Sequence, residues 1–363
     1  MRTLILVGGG HSHLHCLSQI AADLPSDCRA VLISPSGYQY YSGMFSGFTE
    51  DIYNLEDIRI DLKRLCKNTG AEFITGQVNA VDAKNRQLTC ADGSVYDYDL
   101  LSFDIGSTTG VPEEMKPQIS SIKPNHLFPE QLKRIRKTPN PVVVGGGASG
   151  VELAFSIHAW RKQHQLPLNL TLISSSPLLS GLHNRMANSI ESIAREKGLL
   201  FFTGESVEEI SSDTVTTRSG QSFPQSEVLW LTGPKSFSLF HDSGIKTDGS
   251  GFLLVNKYLQ SVMHPEIFGA GDCIAIYNYP SMPKNGVYAV RQGPVLWENL
   301  KSQLDAGELK SFTPQKRYIS ILSTGGGEAF LTYGRFSMHG KLPWRLKQRI
   351  DRKFMKQYKS IYE

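Results

Sequence analysis

Two runs of glycine, each closing an apolar stretch, have the residue types and spacing to hold a pyrophosphate. They are Gly8-Gly9-Gly10 after Leu4-Ile5-Leu6-Val7, and Gly145-Gly146-Gly147-Ala148-Ser149-Gly150 after Val142-Val143-Val144. A strand that ends in closely spaced glycines lets the main chain approach the phosphates, whose charge then rests on the N–H groups opening the next helix. The second run, Gly145-x-Gly147-x-x-Gly150, is the full dinucleotide pattern. The first carries His13 where the third glycine belongs, which puts a side chain at the close helix–strand contact. Two such turns can present two dinucleotides to each other, the arrangement that electron transfer between them needs.

Other residues add to these turns. Asp272 follows Phe268-Gly269-Ala270-Gly271, where glycines permit close backbone approach and a carboxylate past a strand end can bind a hydroxyl. The apolar run Tyr98–Ile105 stops at Gly106-Ser107, and its counterpart Val228–Thr232 stops at Gly233. An acid normally closes the second strand of each unit and binds ribose hydroxyls. Ser34 and Ser174 stand there, so the choice between NAD and NADP is not legible. Arg185 is a candidate 2′-phosphate ligand but reads more simply as a solvated surface arginine. Glu152, at the start of the second helix, complements the helix dipole. Five cysteines (16, 28, 66, 90 and 273) include no short-spaced pair, which excludes a written zinc site or redox dithiol. His11, His13 and His15 alternate, but residues two apart on a helix diverge, so no metal is expected; a polar contact of His11 near a phosphate is.

The elements that must position these residues occur twice. In each half a strand, a glycine turn, a helix and a strand (Ala30–Ile33, Leu170–Ile173) are followed by a hairpin (Asp92-Gly93, Ser219-Gly220) and a glycine-stopped strand. Between them, residues 108–141 read as a proline-containing linker with one basic helix, Glu130–Lys137. Pro265–Asp272 and a helix from Gly286 to Leu300 are expected to return to the first unit. The expected organisation is α/β: two Rossmann-like domains, 1–110 with 248–311 and 111–247, then a tail, 312–363, with a strand pair around Gly325–Gly327 and an amphipathic helix. At 363 residues and 40% apolar content the chain can fill such domains. Its formal net charge of +4 gives no global indication of nucleic acid. The Leu4–Val7 run is too short for a signal-peptide core and no stretch is long enough to span a bilayer, so a cytoplasmic or membrane-surface location is expected.

The motifs resemble the pyridine nucleotide-disulfide oxidoreductase superfamily from Leu4 to about Leu300. Ser34-Pro35 with Tyr41-Ser42-Gly43-Met44, Asp104-Ile105-Gly106-Ser107, Pro283–Pro294, and in the tail Ser320–Gly325 and Arg349–Met355 are similar to NADH-dehydrogenase-like flavoproteins also found fused to selenide, water dikinase. The resemblance implies FAD in the first domain. Gly8, Gly10 and His11 would meet its phosphates, Gly271 and Asp272 the ribityl chain, and Val78 the adenine, with Ser34, Pro35, Gly106 and Ser107 lining the site. Tyr41, Ser42 and Gly43 would lie beside the isoalloxazine, where disulfide reductases carry a cysteine pair. Gly286, Val287 and Tyr288 would open a helix toward the flavin's pyrimidine edge, with Lys284 stabilising the reduced ring or facing solvent. NAD(P)H would use Gly145, Gly147, Gly150, Ser174 and Gly233. Glu152 resembles the glutamate near the nicotinamide–flavin contact of type II NADH dehydrogenases, which implies that it would orient the nicotinamide or relay a proton. With no cysteine pair, electrons would leave directly for a quinone-like small acceptor. Alternatives are action on selenium or sulfur species, and a non-catalytic nucleotide-sensing role. The tail helix sets Leu346, Ile350, Phe354 and Tyr358 at intervals of four among basic residues. That stripe would either pack on the protein's own sheet or lie on an anionic membrane at its inner face. A homodimer is the remaining expected partnership.

Overall fold

The computed structural model describes residues 1–111, 115, 119–121 and 125–363. Two five-stranded parallel sheets have one topology. The first runs Ile267–Gly269, Leu100–Phe103, Arg2–Val7, Cys28–Ser34, Glu72–Thr75; the second runs Ile119–Ser121, Glu227–Trp230, Pro141–Val144, Thr171–Ser174, Leu200–Thr203. Their central strands are apolar throughout because helices and further layers cover both faces, and Leu4, Leu6, Leu101, Val142, Val143 and Leu172 are fully buried. Each crossover carries a three-stranded antiparallel meander, Val78–Asp97 in the first unit and Val207–Pro224 in the second.

The edge strands differ in origin. Ile267–Gly269 pairs parallel with Leu100–Phe103, so the chain returns to the first sheet after completing the second. Part of the expected linker is structured: Thr108–Thr109 pairs with Pro234–Lys235, Ile119–Ser121 joins the second sheet, and the basic helix spans Phe128–Ile135. Residues 112–114, 116–118 and 122–124 of that stretch lie outside the described residues. Asp51 ties the two units together, accepting from Trp160 Nε1 at 2.6 Å and from Arg136 Nη1 at 2.8 Å.

The tail corrects two expectations. Its sheet has three strands, Ser320–Gly325, Glu328–Tyr333 and Phe336–Gly340. The helix Lys341–Lys359 buries only the C-terminal part of the i, i+4 apolar stripe. Tyr358 is buried and Phe354 half-buried, but Leu346 and Ile350 are 39% and 44% exposed, and Trp344, Lys347, Asp351 and Met355 are buried in their place. The reason is a polar partner surface: Lys347 and Asp351, four residues apart, find an ion pair and a carbonyl inside, which turns the neighbouring leucine and isoleucine outward. The helix lies across the first unit, stacking Phe354 on Tyr41 at 4.3 Å between centroids; Tyr362, just beyond its end, accepts from Asp61 N at 3.1 Å.

Candidate functional site

The two glycine turns start alike. Gly8 and Gly145 have φ of +89° and +126°, conformations that exclude a Cβ, and a Cβ at either would stand 2.5 Å from a carbonyl oxygen of the neighbouring strand's exit, Asp104 or Leu231. Asp104 N donates to Val7 O and Leu231 N to Val144 O, so Asp104 and Leu231 are structural equivalents. Each turn then opens a helix, His11–Asp23 or Ala148–Gln163, whose N-cap glycine supplies no side-chain bond.

Beyond this point the turns differ. In the second, Gly147, Ala148 and Ser149 are exposed and a Cβ at Gly147 would meet nothing within 4 Å, whereas one at Gly150 would overlap the Gly145 carbonyl. The main-chain N–H groups at this helix start therefore face open space, and the third glycine is sterically required. In the first turn His13 is accommodated by hydrogen bonding. Its Nδ1 lies 2.6 Å from Gly8 O and its Nε2 2.8 Å from Ser102 Oγ, and burial pushes its pKa down to about 4, which keeps the ring neutral. Nδ1–H then donates to the carbonyl and Nε2 accepts from the serine. Asp104 Oδ2 accepts from Ser12 N at 2.7 Å and His13 N at 3.1 Å. A Cβ at Gly10 or Gly271 would overlap that carboxylate.

The remaining expected residues fall into groups. Asp272 lies past the Ile267–Gly269 strand, and Ser107 Oγ donates to it at 3.4 Å. Gly106 has φ +72°. Ser34 is buried at the end of its strand, Pro35 follows exposed, and Val78 opens the meander. His11 points between Tyr41 and Phe354, at 5.6 and 5.5 Å between centroids; its Nε2 is buried with no partner among the described residues, and a Cβ on Gly286 would stand 4.0 Å from it. An orphaned ring nitrogen beside a glycine is the kind of gap a polar ligand fills. Ser42 opens a short 3-10 turn, and Gly43 lies under the Tyr41 ring, 2.7 Å from a would-be Cβ.

Three placements differ from expectation. Lys284 Nζ donates to Ile274 O and sits over the Phe252 ring, and burial lowers its pKa, so it is neither a solvent-facing lysine nor a free cation. The helix Gly286–Leu304 has its first N–H groups at Val287 and Tyr288 capped by Asn285 Oδ1, at 3.1 and 3.2 Å. Ser174 is buried and its hydroxyl donates to Ser176 O within the following turn; Gly233 is exposed past the strand end.

Glu152 sits in a buried polar cluster that the sequence reading missed. Its Oε1 accepts from Ser323 N at 2.9 Å and lies 3.8 Å from Lys347 Nζ, which also bonds Gly43 O and, at 3.0 Å, Asp351. One ammonium faces two carboxylates. Burial raises the Glu152 carboxyl above the usual range, while Glu152 and Asp351 hold Lys347 charged against its own burial. Ser323 Oγ continues the chain to Glu50, itself raised by burial. The Tyr41 phenol borders the cluster at Asp351. The only available signal was the i, i+4 Lys–Asp pair, which reads equally as a solvated helix face.

All five cysteines are buried free thiols, and none lies in the Tyr41–Met44 segment. Two matched dinucleotide-binding units, each with a glycine turn opening a helix, define a class of flavin- and nicotinamide-dependent oxidoreductase. The family model for pyridine nucleotide-disulphide oxidoreductases matches residues 2–293, and the chain belongs to that family, whose cofactors are FAD and NAD(P)H. Ferroptosis suppressor protein 1 of Xenopus tropicalis is 26% identical over 256 residues, 67% of this chain and 66% of the relative. The chain thus spans about two thirds of that relative's length. The NADH dehydrogenase-like protein YutJ of Bacillus subtilis is 20% identical over 96% of this chain and 97% of its own. Among solved structures, the sulfide:quinone oxidoreductase of Aquifex aeolicus superposes with a TM-score of 0.83 at 19% identity, over 99% of this chain and 92% of that one. NDH2 of Plasmodium falciparum gives 0.79 at 12%, over 100% and 99%. These two likenesses concern the fold.

Proposed function

We propose that this chain is an FAD-dependent NAD(P)H dehydrogenase that passes electrons to a quinone-like small acceptor without a redox disulfide. The observation that carries the reading is the buried Glu152–Lys347–Asp351 cluster, with no thiol, against the Tyr41–Met44 segment. When bound, FAD would take a hydride from the nicotinamide and release two electrons to the acceptor. Gly8, Gly10, Gly106, Ser107, Gly271 and Asp272 would hold it, and Gly145, Gly147 and Gly150 would hold the nicotinamide dinucleotide at the open helix start. Reducing a quinone with NAD(P)H consumes one proton beyond the hydride. The raised Glu152 carboxyl retains a proton into a higher pH range than an exposed glutamate, beside Lys347 and within a network reaching the Tyr41 phenol. The Phe354 ring stacks on Tyr41 beside this network. Anaerobic mixing with NADH and NADPH tests the reading: one should bleach the flavin, and a soluble quinone should restore its colour. If neither nicotinamide bleaches it, the reading fails.

The tail helix extends the reading to a membrane surface as the source of an apolar acceptor. Leu342, Leu346 and Ile350 are 65%, 39% and 44% exposed, beside exposed Phe336 and Met338, and Lys341, Arg345 and Arg349 flank them. Apolar side chains ringed by cations suit an anionic lipid surface. Co-sedimentation with anionic vesicles, lost in Leu346→Glu/Ile350→Glu, is expected; equal sedimentation of the double variant would remove this part.

A further inference from the structure

Asp104 is an anion-forming group inside a site meant for an anion. The equivalent position in the second unit is Leu231, and there the helix start is open. In the first unit the Asp104 carboxylate takes the N–H groups of Ser12 and His13, which a helix otherwise offers to a phosphate. It is 4% exposed and wedged between Gly10 and Gly271, so both glycines are required by this chain's own side chain. Among the described residues no cation offsets it. His13 and Cys16 face it from the His11–Asp23 helix and Cys273 and Asp272 from the turn after Ile267–Gly269; on the Gly286–Leu304 helix, Ala289 O accepts from Ser12 Oγ and Gln292 Oε1 from Gly271 N. His11 sees Asp272 rather than Asp104, Lys284 is turned to Ile274 O beyond Cys273, and both histidines are neutral.

We propose that Asp104 makes FAD binding proton-linked: its carboxylate competes with the pyrophosphate for the Ser12 and His13 N–H groups, and FAD binds with uptake of a proton by this residue. The inference rests on FAD occupying the first unit. Burial, reinforced by Asp272 and opposed by the two N–H bonds, pushes the Asp104 pKa up to about 7, where a small pH change alters its charge. A neighbouring pyrophosphate would raise it further, so the protonated form is the one that binds.

The experiment is FAD titration of the flavin-free full chain, followed by quenching of flavin fluorescence, from pH 6 to 9. The affinity of the wild-type protein should be level below pH ~7 and fall by up to about tenfold per pH unit above it. Asp104→Asn keeps an acceptor for the N–H groups but cannot ionise, and should bind FAD with a flat profile and more tightly at pH 9. Calorimetry in buffers of different ionisation enthalpy gives a second readout, proton uptake near pH 8 in the wild type and none in Asp104→Asn. A level wild-type profile, or a slope retained in Asp104→Asn, overturns the inference while leaving the flavoprotein reading intact. Failure to bind FAD at any pH overturns both.

Discussion

The two glycine turns share sheet order, strand exit and first glycine, yet the first is filled by the protein's own side chains and the second is bare. At the third pattern position Gly150 is sterically obligatory, while His13 fits because its ring bonds Gly8 O and Ser102 Oγ. At the helix start Gly147 faces open space, while Gly10 presses on Asp104. The same motif thus builds one enclosed, internally capped cradle and one accessible cradle, which accords with a resident cofactor in the first and an exchanging one in the second. The largest expected effect breaks the asymmetry at its strictest point. Gly150→Ala forces a methyl into the Gly145 carbonyl and must push the helix off its strand; a loss of about 4 kcal/mol is expected, read as a lower thermal midpoint together with lost reduction by NAD(P)H. An unchanged midpoint would show that the second turn tolerates what the first does.

The duplicated unit was legible because it is written in local signals: glycine turns, apolar strands and Asp-Gly or Ser-Gly hairpins repeat in one order. The return of Ile267–Gly269 was legible through Asp272 just past it. The contents of the first cradle were not. Asp104 reads as a polar residue ending an apolar strand, and only the fold puts it under the helix opening 92 positions earlier in the chain. The tail helix misled for a related reason. An apolar row at i, i+4 usually marks the buried face, but the surface it meets offers Glu152 and a carbonyl, so the Lys347–Asp351 row turns inward. Ser174 shows the same limit: its position suits a ribose contact, and nothing in the sequence indicates that its hydroxyl bonds Ser176 O.

The smaller test contrasts Gly10→Ala with Gly147→Ala. At Gly10 the methyl meets a buried carboxylate already bonded to two N–H groups, so either the carboxylate leaves its donors or the helix start shifts; a loss of about 2 kcal/mol is expected. At Gly147 the methyl enters open space, and stability should change by less than about 1 kcal/mol, the scale of an N-cap preference. The functional effects should run the other way, with Gly147→Ala weakening NAD(P)H binding while the flavin stays bound. A double-mutant cycle isolates the cause. If Asp104 is what confines Gly10, then Asp104→Ala restores most of the stability lost in Gly10→Ala, whereas it leaves Gly147→Ala unaffected. Additive losses in the first pair would mean that the backbone, and not the carboxylate, keeps position 10 a glycine, and the two turns would then differ only at His13.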